Sequence, residues 1–521
     1  MQPYLQLASL HLATTIIPLP IRKLYTAAAK NLLATTSESA MSSGMAYIAP
    51  CAAALAMILA ALLVRWSYRW THPRSKGKLP PGSMGIPLLG ETMQFFAPNP
   101  TCDVSPFVKE RVRRYGSIFK TSIVGRPVVV SADPDMNYFV FQQEGKLFES
   151  WYPDTFTEIF GRDNVGSLHG FMYKYLKTLV LRLYGQENLK AVLVAETDAA
   201  CRRSLDAWAA QPSVELKEGL STMIFDLTAK KLIGYDPSKS SESLRKNFVS
   251  FIRGLISFPL NIPGTAYHEC MEGRKNAMKV LRSMMKERMA DPERRSEDFF
   301  DHVIQELRRE KPLLTETIAL DLMFVLLFAS FETTALALTL GVKLLTDNPK
   351  VVDALREEHD AIARNRKDPD APVTWAEYRS MTFTNQVIME MVRLANIVPG
   401  IFRKALQDVE IKGYTIPAGW GIMVCPPAVH LNPDIYEDPL AFNPWRWQDK
   451  PEITGGTKHF MAFGGGLRFC VGTDFSRVLM ATFIHSLVTK YSWRTVKGGN
   501  IVRTPGLGFP DGFHVQLFPR N

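Results

Sequence analysis

A glycine-rich run, Phe463-Gly464-Gly465-Gly466-Leu467-Arg468-Phe469-Cys470-Val471-Gly472, limits what this chain can fold into. It sets one cysteine in a turn, an arginine two residues before it, and a helical pattern (Asp474 to Tyr491) directly after. Free backbone N–H groups in such a turn point at the sulfur, and the helix N-terminus adds positive potential. Both favour thiolate over thiol. A thiolate held this way suits axial ligation of haem iron, because it pushes electron density onto the metal and favours O–O cleavage. Gly466 and Gly472 then let the loop approach a flat macrocycle, Phe463 packs on its proximal side, and Arg468 pairs with a propionate. A buried, inert loop cysteine is the bland alternative. Against it, Phe463, Gly466, Arg468, Cys470 and Gly472 fall together at spacings that chance seldom supplies.

At 521 residues the chain is long enough for two or three average domains, although single-core enzymes reach this size. An apolar content of 46 % is ample for a core, and 11 % aromatics suits a flat, greasy ligand. The 61 basic against 51 acidic side chains give a net charge of +10. No Lys/Arg run is interleaved with aromatics, so the surplus points to acidic partners and anionic membrane and away from nucleic acid. The six cysteines (51, 102, 201, 270, 425 and 470) form no CxxC pair and no disulfide spacing, which fits a reducing, cytosol-facing body.

Glu316 to Leu345 holds the most apolar run of the body. Asp321, Glu332 and Lys343 interrupt it, so it is expected to be a buried core helix rather than a second membrane span. Asp321 and Glu332 stand eleven residues apart, close to three turns, and share a face. Within it lies Ala329-Ser330-Phe331-Glu332-Thr333-Thr334, where an acid beside an alcohol can relay protons from solvent to bound dioxygen. Glu390 and Arg393 are three apart on a second helical run, Asn385–Ala395. Their apolar neighbours suggest burial, and a buried pair needs further partners; Arg446 can supply one. Ser117–Ile123 and Pro127–Ser131 alternate around Gly125-Arg126 as a β-hairpin.

The N-terminal region divides in three. Residues 1–43 are rich in Ser, Thr and Ala and carry one acid, which reads either as a transit peptide or as an upstream extension with Met41 or Met45 as the natural start. Residues 44–64 run without a charge, long enough at ~1.5 Å per residue to cross a membrane core of ~30 Å. Arg65, Arg69, Arg74, Lys76 and Lys78 follow and hold that flank in the cytosol. Residues 65–82, ending in Leu79-Pro80-Pro81-Gly82, read as a basic, stiff linker before a catalytic domain at 83–521.

The ten residues of the cysteine run match, position for position, the haem-binding loop of the cytochrome P450 monooxygenases. The resemblance extends from about Lys78 to the C-terminus. It implies a mainly α fold with small β-sheets, preceded by one transmembrane helix. It implies haem b on Cys470, held also by Phe463 and by propionate contacts from Arg468 and Arg403. Tyr173 and Lys177 match the family's Trp/His-x-x-x-Arg pair poorly and are its best candidates here. The segment at Ala329 is similar to the family's oxygen-activating signature, with Ser330 where glycine is usual, so Glu332 and Thr333 take the relay roles. Glu390, Arg393 and Arg446 take the roles of its structural triad, with Trp445 in place of an acid often found there. Ala329, Val398, Ile401 and Leu507 fall where the family faces substrate, and the loop at Ser257–Gly264 falls where it touches the membrane.

The resemblance further implies electrons from NADPH through the flavins of a cytochrome P450 reductase. It implies residence in the endoplasmic reticulum, or in a plastid if residues 1–43 act as a transit peptide. The stretches Leu79–Phe96, Phe258–Tyr267, Lys412–Pro417 and Phe442–Trp447 look like the plant clan that oxidises sterols, brassinosteroids and triterpenoids. Arg468 to Phe475 is especially close to one family in it with triterpenoid and steroid substrates, so a tetracyclic or pentacyclic terpenoid is the expected substrate. A haem-thiolate isomerase or dehydratase without external dioxygen would normally lack the acid–alcohol pair. A non-catalytic haem sensor would need neither anchor nor substrate loops.

Overall fold

The computed structural model describes residues 45–236, 244–255, 257, 259–291, 293, 298–368, 370–448 and 456–520. The extension 1–43, Gly44 and Phe258 lie outside the described residues. Two units divide the chain, Met1–Pro73 and Arg74–Asn521. In the first, helix α1 (Met45–Thr71) runs past the expected end at Val64 and on through Arg65 and Arg69. Leu55, Ile58, Leu59, Leu62 and Leu63 all lie exposed on it, and Cys51–Thr71 is long and apolar enough to cross a membrane.

The second unit begins earlier than a free linker would allow. Lys120 donates its backbone N–H to Pro81 O (2.8 Å) and its Nζ to Pro80 O (3.0 Å), and Thr415 N–H reaches Lys78 O at 2.7 Å. The proline stretch is thus pinned along the first strand, because its carbonyls remain good acceptors where its nitrogens cannot donate. The main sheet is built from β1 (Ile118–Ile123), β2 (Arg126–Ser131), β3 (Phe148–Ser150), β4 (Ile401–Ala405) and β5 (Gly421–Val424), in the order β1-β2-β5-β4-β3. β2 and β5 are parallel and the other pairs antiparallel. The hairpin turn expected at Gly125 has Val124 at φ 51° and Gly125 at φ 69°, the doubly left-handed geometry that matches strand twist. A smaller sheet sets Phe513–Pro519 between Val214–Glu215 and Tyr491–Gly498.

The helices that position the site are α2 (Pro134–Gln142), α3 (Gly170–Tyr184), α4 (Leu216–Ile233), α5 (Leu244–Leu255), α6 (Ala266–Met289), α7 (Glu316–Asp347), α8 (Thr382–Ala395) and α9 (Thr473–Lys490). Thr315 caps α7, accepting from Ile318 N–H, with Glu316 complementing the dipole in the first turn. α4, α6 and α8 pack around α7, which is the buried core helix expected, not a second span. Rings bind it in place: Phe331 meets Phe225 of α4 edge-on (5.2 Å), and Phe324 meets Phe248 and Phe251 of α5 at 5.0 and 4.9 Å. Such pairs add about 0.5–1.5 kcal/mol each beyond area burial. At Gly341 of α7 a Cβ would meet the end of the Met391 side chain of α8.

Candidate active site

The cysteine loop closes on itself. Cys470 N–H donates to Phe463 O (3.0 Å), Phe469 N–H to Gly466 O (3.1 Å), and Thr473 Oγ1 to Cys470 O (2.8 Å) at the start of α9. Gly464 and Gly466 adopt φ of 76° and 64°, which only glycine takes without strain. Gly466 serves a purpose the sequence did not suggest: a Cβ there would strike the carbonyl of Phe141 in α2, and one on Gly465 would lie 2.7 Å from that ring. The glycines let α2 press against the loop. At Gly472 a Cβ would meet only the Cys470 sulfur, at 3.8 Å.

Cys470 opens on an internal cavity of about 410 Å³. One stripe of α7 forms a wall: Leu326, Ala329, Ser330, Thr333, Thr334 and Ala337, at the spacing of a single helix face. Val392, Ile397, Val398, Ile401 and Arg403 form another, and Phe141, Tyr152, Tyr173 and Tyr184 add aromatic surface. Of the six cysteines only Cys470 reaches this cavity. Its side chain is exposed to this cavity, and the protein packed around the loop pushes the thiol pKa up by desolvation. The Gly472 N–H, the Thr473 hydroxyl and the Lys177 ammonium pull the other way and lose. The turn and the helix start thus pull toward thiolate as expected, desolvation opposes them in the free thiol, and a bound metal, which deprotonates a coordinating thiol outright, would complete the ionisation.

Arg403 and Arg468 both line the cavity and share one carboxylate. Glu144 Oε1 accepts from Arg468 Nε (2.5 Å), and Glu144 Oε2 lies 2.6 Å from Arg403 Nε. Arg468 also donates to Val165 O, Leu168 O and His169 Nδ1, and lies 4.1 Å over the Tyr173 ring. Arginine can only donate, so His169 Nδ1 is the acceptor and the ring is neutral, in keeping with burial lowering its pKa. Tyr173 thus reaches the cavity beneath Arg468. Lys177 does not line it; its Nζ donates to Leu467 O (2.7 Å) and braces the cysteine loop.

The acid–alcohol pair is not assembled. Thr333 lines the cavity, with Oγ1 donating to Ala329 O (3.2 Å). Glu332 does not line it: Lys217 Nζ of α4 holds its Oε1 at 2.8 Å, and Oε2 has no hydrogen-bond partner among the described residues. Successive helical residues point about 100° apart, so neighbours in sequence face different helices. Asp321 and Glu332 do both look toward packed helices, since Arg274 of α6 reaches Asp321 at 2.8 Å. Ser330 lines the cavity, but its hydroxyl is engaged with Thr228 Oγ1 and Leu327 O, each 3.1 Å, tying α7 to α4. Leu507 is not in the cavity either. It is buried in the core opposite Arg503 in a short strand pair.

Glu390 and Arg393 are completely buried and joined by Arg393 Nε–Oε2 (2.8 Å) and Nη2–Oε1 (2.7 Å). Arg446 Nε reaches Oε1 at 2.9 Å, and Trp447 Nε1 reaches Oε2 at 2.9 Å. Trp447, which the sequence reading passed over, completes the shell. Trp445, which it singled out, is exposed and lies against Phe383. Arg393 Nη1 ties this centre to His430 O and Pro439 O. Glu390→Gln is expected to lower stability by about 3–5 kcal/mol, because two buried guanidiniums lose their charge partner. Denaturant midpoints will read this; a change below about 1 kcal/mol means the triad is not a structural centre.

Known proteins bear directly on this arrangement. Residues 80–511 match the family model for Cytochrome P450. The chain belongs to the cytochrome P450 family. It is 85 % identical to a cytochrome P450 87A3 of Oryza sativa subsp. japonica over the full length of both. It is 43 % identical to a beta-amyrin 16-alpha-hydroxylase of Maesa lanceolata and to a cucurbitadienol 11-hydroxylase of Siraitia grosvenorii, covering 89 % of this chain and 98 % of each relative. A retinoic acid bound cyanobacterial CYP120A1 superposes with a TM-score of 0.75 at 27 % identity, over 85 % of this chain and all of that one. As a cytochrome P450 the chain is a monooxygenase of mainly helical fold with small sheets, and the family implies haem-thiolate iron. The residues present fit that group: one thiol, two cavity-lining guanidiniums, and apolar walls between them suit a flat anionic macrocycle with a soft-ligated metal. Among the described residues no cluster of three His, Cys, Asp or Glu could hold a metal without such a macrocycle.

Proposed function

We propose that this cytochrome P450 hydroxylates a C–H bond of a tetracyclic or pentacyclic terpenoid, a sterol, steroid or triterpenoid. In this reading electrons come from NADPH through cytochrome P450 reductase, and the uncharged segment 44–64 anchors the chain in the endoplasmic reticulum with the body cytosolic. The observation that carries the substrate class is the pairing of an apolar, aromatic-lined cavity over Cys470 with two 43 % identical relatives that are named for beta-amyrin and cucurbitadienol. Supplying a triterpenoid and sterol panel to reductase-bearing microsomes, with product mass spectrometry, tests it. A product one oxygen heavier from one of these skeletons is expected; turnover of unrelated small aromatics alone would sink it. Removing residues 1–72 should move much of the protein from the membrane pellet to the soluble fraction. Retention undiminished would place the anchor elsewhere.

Haem, when bound, supplies an iron that activates dioxygen for insertion of one atom into the C–H bond. The chain's part is to hold and move protons and to exclude water. Cys470 Sγ would hold the iron, while Arg403 and Arg468 would hold the propionates. Ala329, Val398 and Ile401 bound the substrate. Thr333 Oγ1, one hydrogen bond from leaving its own helix, delivers a proton into the cavity; Glu332 resupplies it after releasing Lys217. Thr333→Ala should keep haem and substrate binding and fold normally, since alanine suits a helix. Product per NADPH consumed should fall about tenfold, with hydrogen peroxide making up the difference, roughly 1.4 kcal/mol on the productive branch. Ser330→Gly should not mimic it, because the Ser330 hydroxyl is already engaged with α4. Wild-type coupling in Thr333→Ala would remove Thr333 from the relay.

A further inference from the structure

Glu144 sits in the turn after α2, and its carboxylate is nearly buried, 4 % exposed. Three segments meet on it. Oε1 accepts from Arg468 Nε of the cysteine loop and from Ser150 N–H of β3 (3.1 Å), and Oε2 faces Arg403 Nε of β4. A purely structural ion pair needs one cation for one carboxylate. Here a single carboxylate serves two buried guanidiniums, and the neighbouring charges do not rebalance them: Glu149 is paired with Lys404 at 2.7 Å, and His169 is neutral. The wall of the cavity is left with an excess positive charge, which suits an anionic ligand.

The two forks are not equivalent. Arg468 directs its outer nitrogens at Val165 O, Leu168 O and His169 Nδ1. Arg403 directs Nη1 at Phe402 O (2.8 Å), and its Nε, although 2.6 Å from Glu144 Oε2, has no hydrogen-bond partner among the described residues. Arg468 is hydrogen-bonded at Nε to one oxygen of this carboxylate, and Arg403 Nε is ion-paired with the other without hydrogen-bond geometry, which ties their spacing and leaves Arg403 with a free donor. We propose that Glu144 is a positioning residue for the haem carboxylates: it holds Arg403 and Arg468 apart at a set distance and keeps the Arg403 fork available to a propionate.

This rests on the haem reading of the site, so the test begins with a full-length wild-type chain that shows the thiolate carbon-monoxide band; absence of the band there would sink that reading, not this one. Transfer of haem to excess apomyoglobin is then timed for wild type, Glu144→Gln and Glu144→Asp, with melting temperature measured in parallel. Glu144→Gln is expected to release haem about tenfold faster with the band unmoved in wavelength, since Cys470 still ligates. In an Arg403→Gln background the same change should add little, because Glu144 acts through Arg403. A merely structural role would lower the melting temperature and leave haem release as in wild type, and that result overturns the proposal. So does slower release in Glu144→Gln, which would mean that the carboxylate competes with the propionates. Should Glu144→Gln fail to fold, Glu144→Asp keeps the charge but falls one methylene short: faster release is expected, and unchanged release overturns the proposal.

Discussion

Cys470→Ser is expected to abolish the thiolate-type absorption of the reduced carbon-monoxide complex and all product formation, while leaving the fold nearly as stable. Cys470 is the one thiol on the cavity wall; Cys201, Cys270 and Cys425 are buried elsewhere, and burial pushes their thiols up to about 12, 12 and 11. A thiol so disfavoured as thiolate and so remote cannot take over ligation. Serine keeps the size and the backbone, so the Cys470 N–H bond to Phe463 O and the Thr473 bond to Cys470 O should survive. A hydroxyl does not push electron density as a thiolate does, so the spectrum must change even if haem is retained. Persistence of the band in the variant would assign the iron to another residue and undo the site.

The second large effect is loss of stability in mild acid. Three histidines are held neutral inside the body. His430 accepts from Met461 N–H at Nε2 (3.0 Å) and bonds Asn396 through Nδ1 (2.8 Å); burial, with Arg393 nearby, pushes its pKa down to about 3. His359 and His485 face each other Nδ1 to Nδ1 at 3.0 Å, so they share one proton, and burial pushes both down. The folded values lie below the unfolded value near 6.5, so the unfolded chain binds protons first. Stability from these groups is full above about pH 6.5 and is lost progressively toward pH 3. Asp321 works in the opposite sense. Burial, against Arg274, pushes it up to about 6, so its protonation in the folded state offsets up to one of these protons. The balance is a loss of about 4 kcal/mol between pH 6.5 and 5, a large share of the ~5–15 kcal/mol of a typical domain. Urea unfolding at pH 7, 6 and 5 measures it, and His430→Gln should remove about 1.5 kcal/mol of the loss. A flat profile in wild type, or an unchanged slope in His430→Gln, would show that these rings can charge without unfolding.

The sequence by itself carried the features that are local or that repeat at a helix or strand period. The run Phe463–Gly472, the buried α7, the hairpin at Gly125 and the Glu390–Arg393 pair were all legible, because turn glycines, apolar periodicity and i,i+3 spacing act over a few residues. Tertiary structure decided whatever depends on partners distant in the chain. Glu144 is 324 residues from Arg468, reads as an ordinary polar turn residue, and becomes part of the site only when α2 presses on the cysteine loop. Glu332 and Thr333 are adjacent in sequence, yet α4 takes one and the cavity the other, because a helix turns about 100° per residue. Leu507 has the composition of a pocket residue and lies in the core. The ionisation of Cys470 divides in the same way: the turn that favours thiolate is visible in sequence, but the desolvation that opposes it comes from the helices folded around the loop.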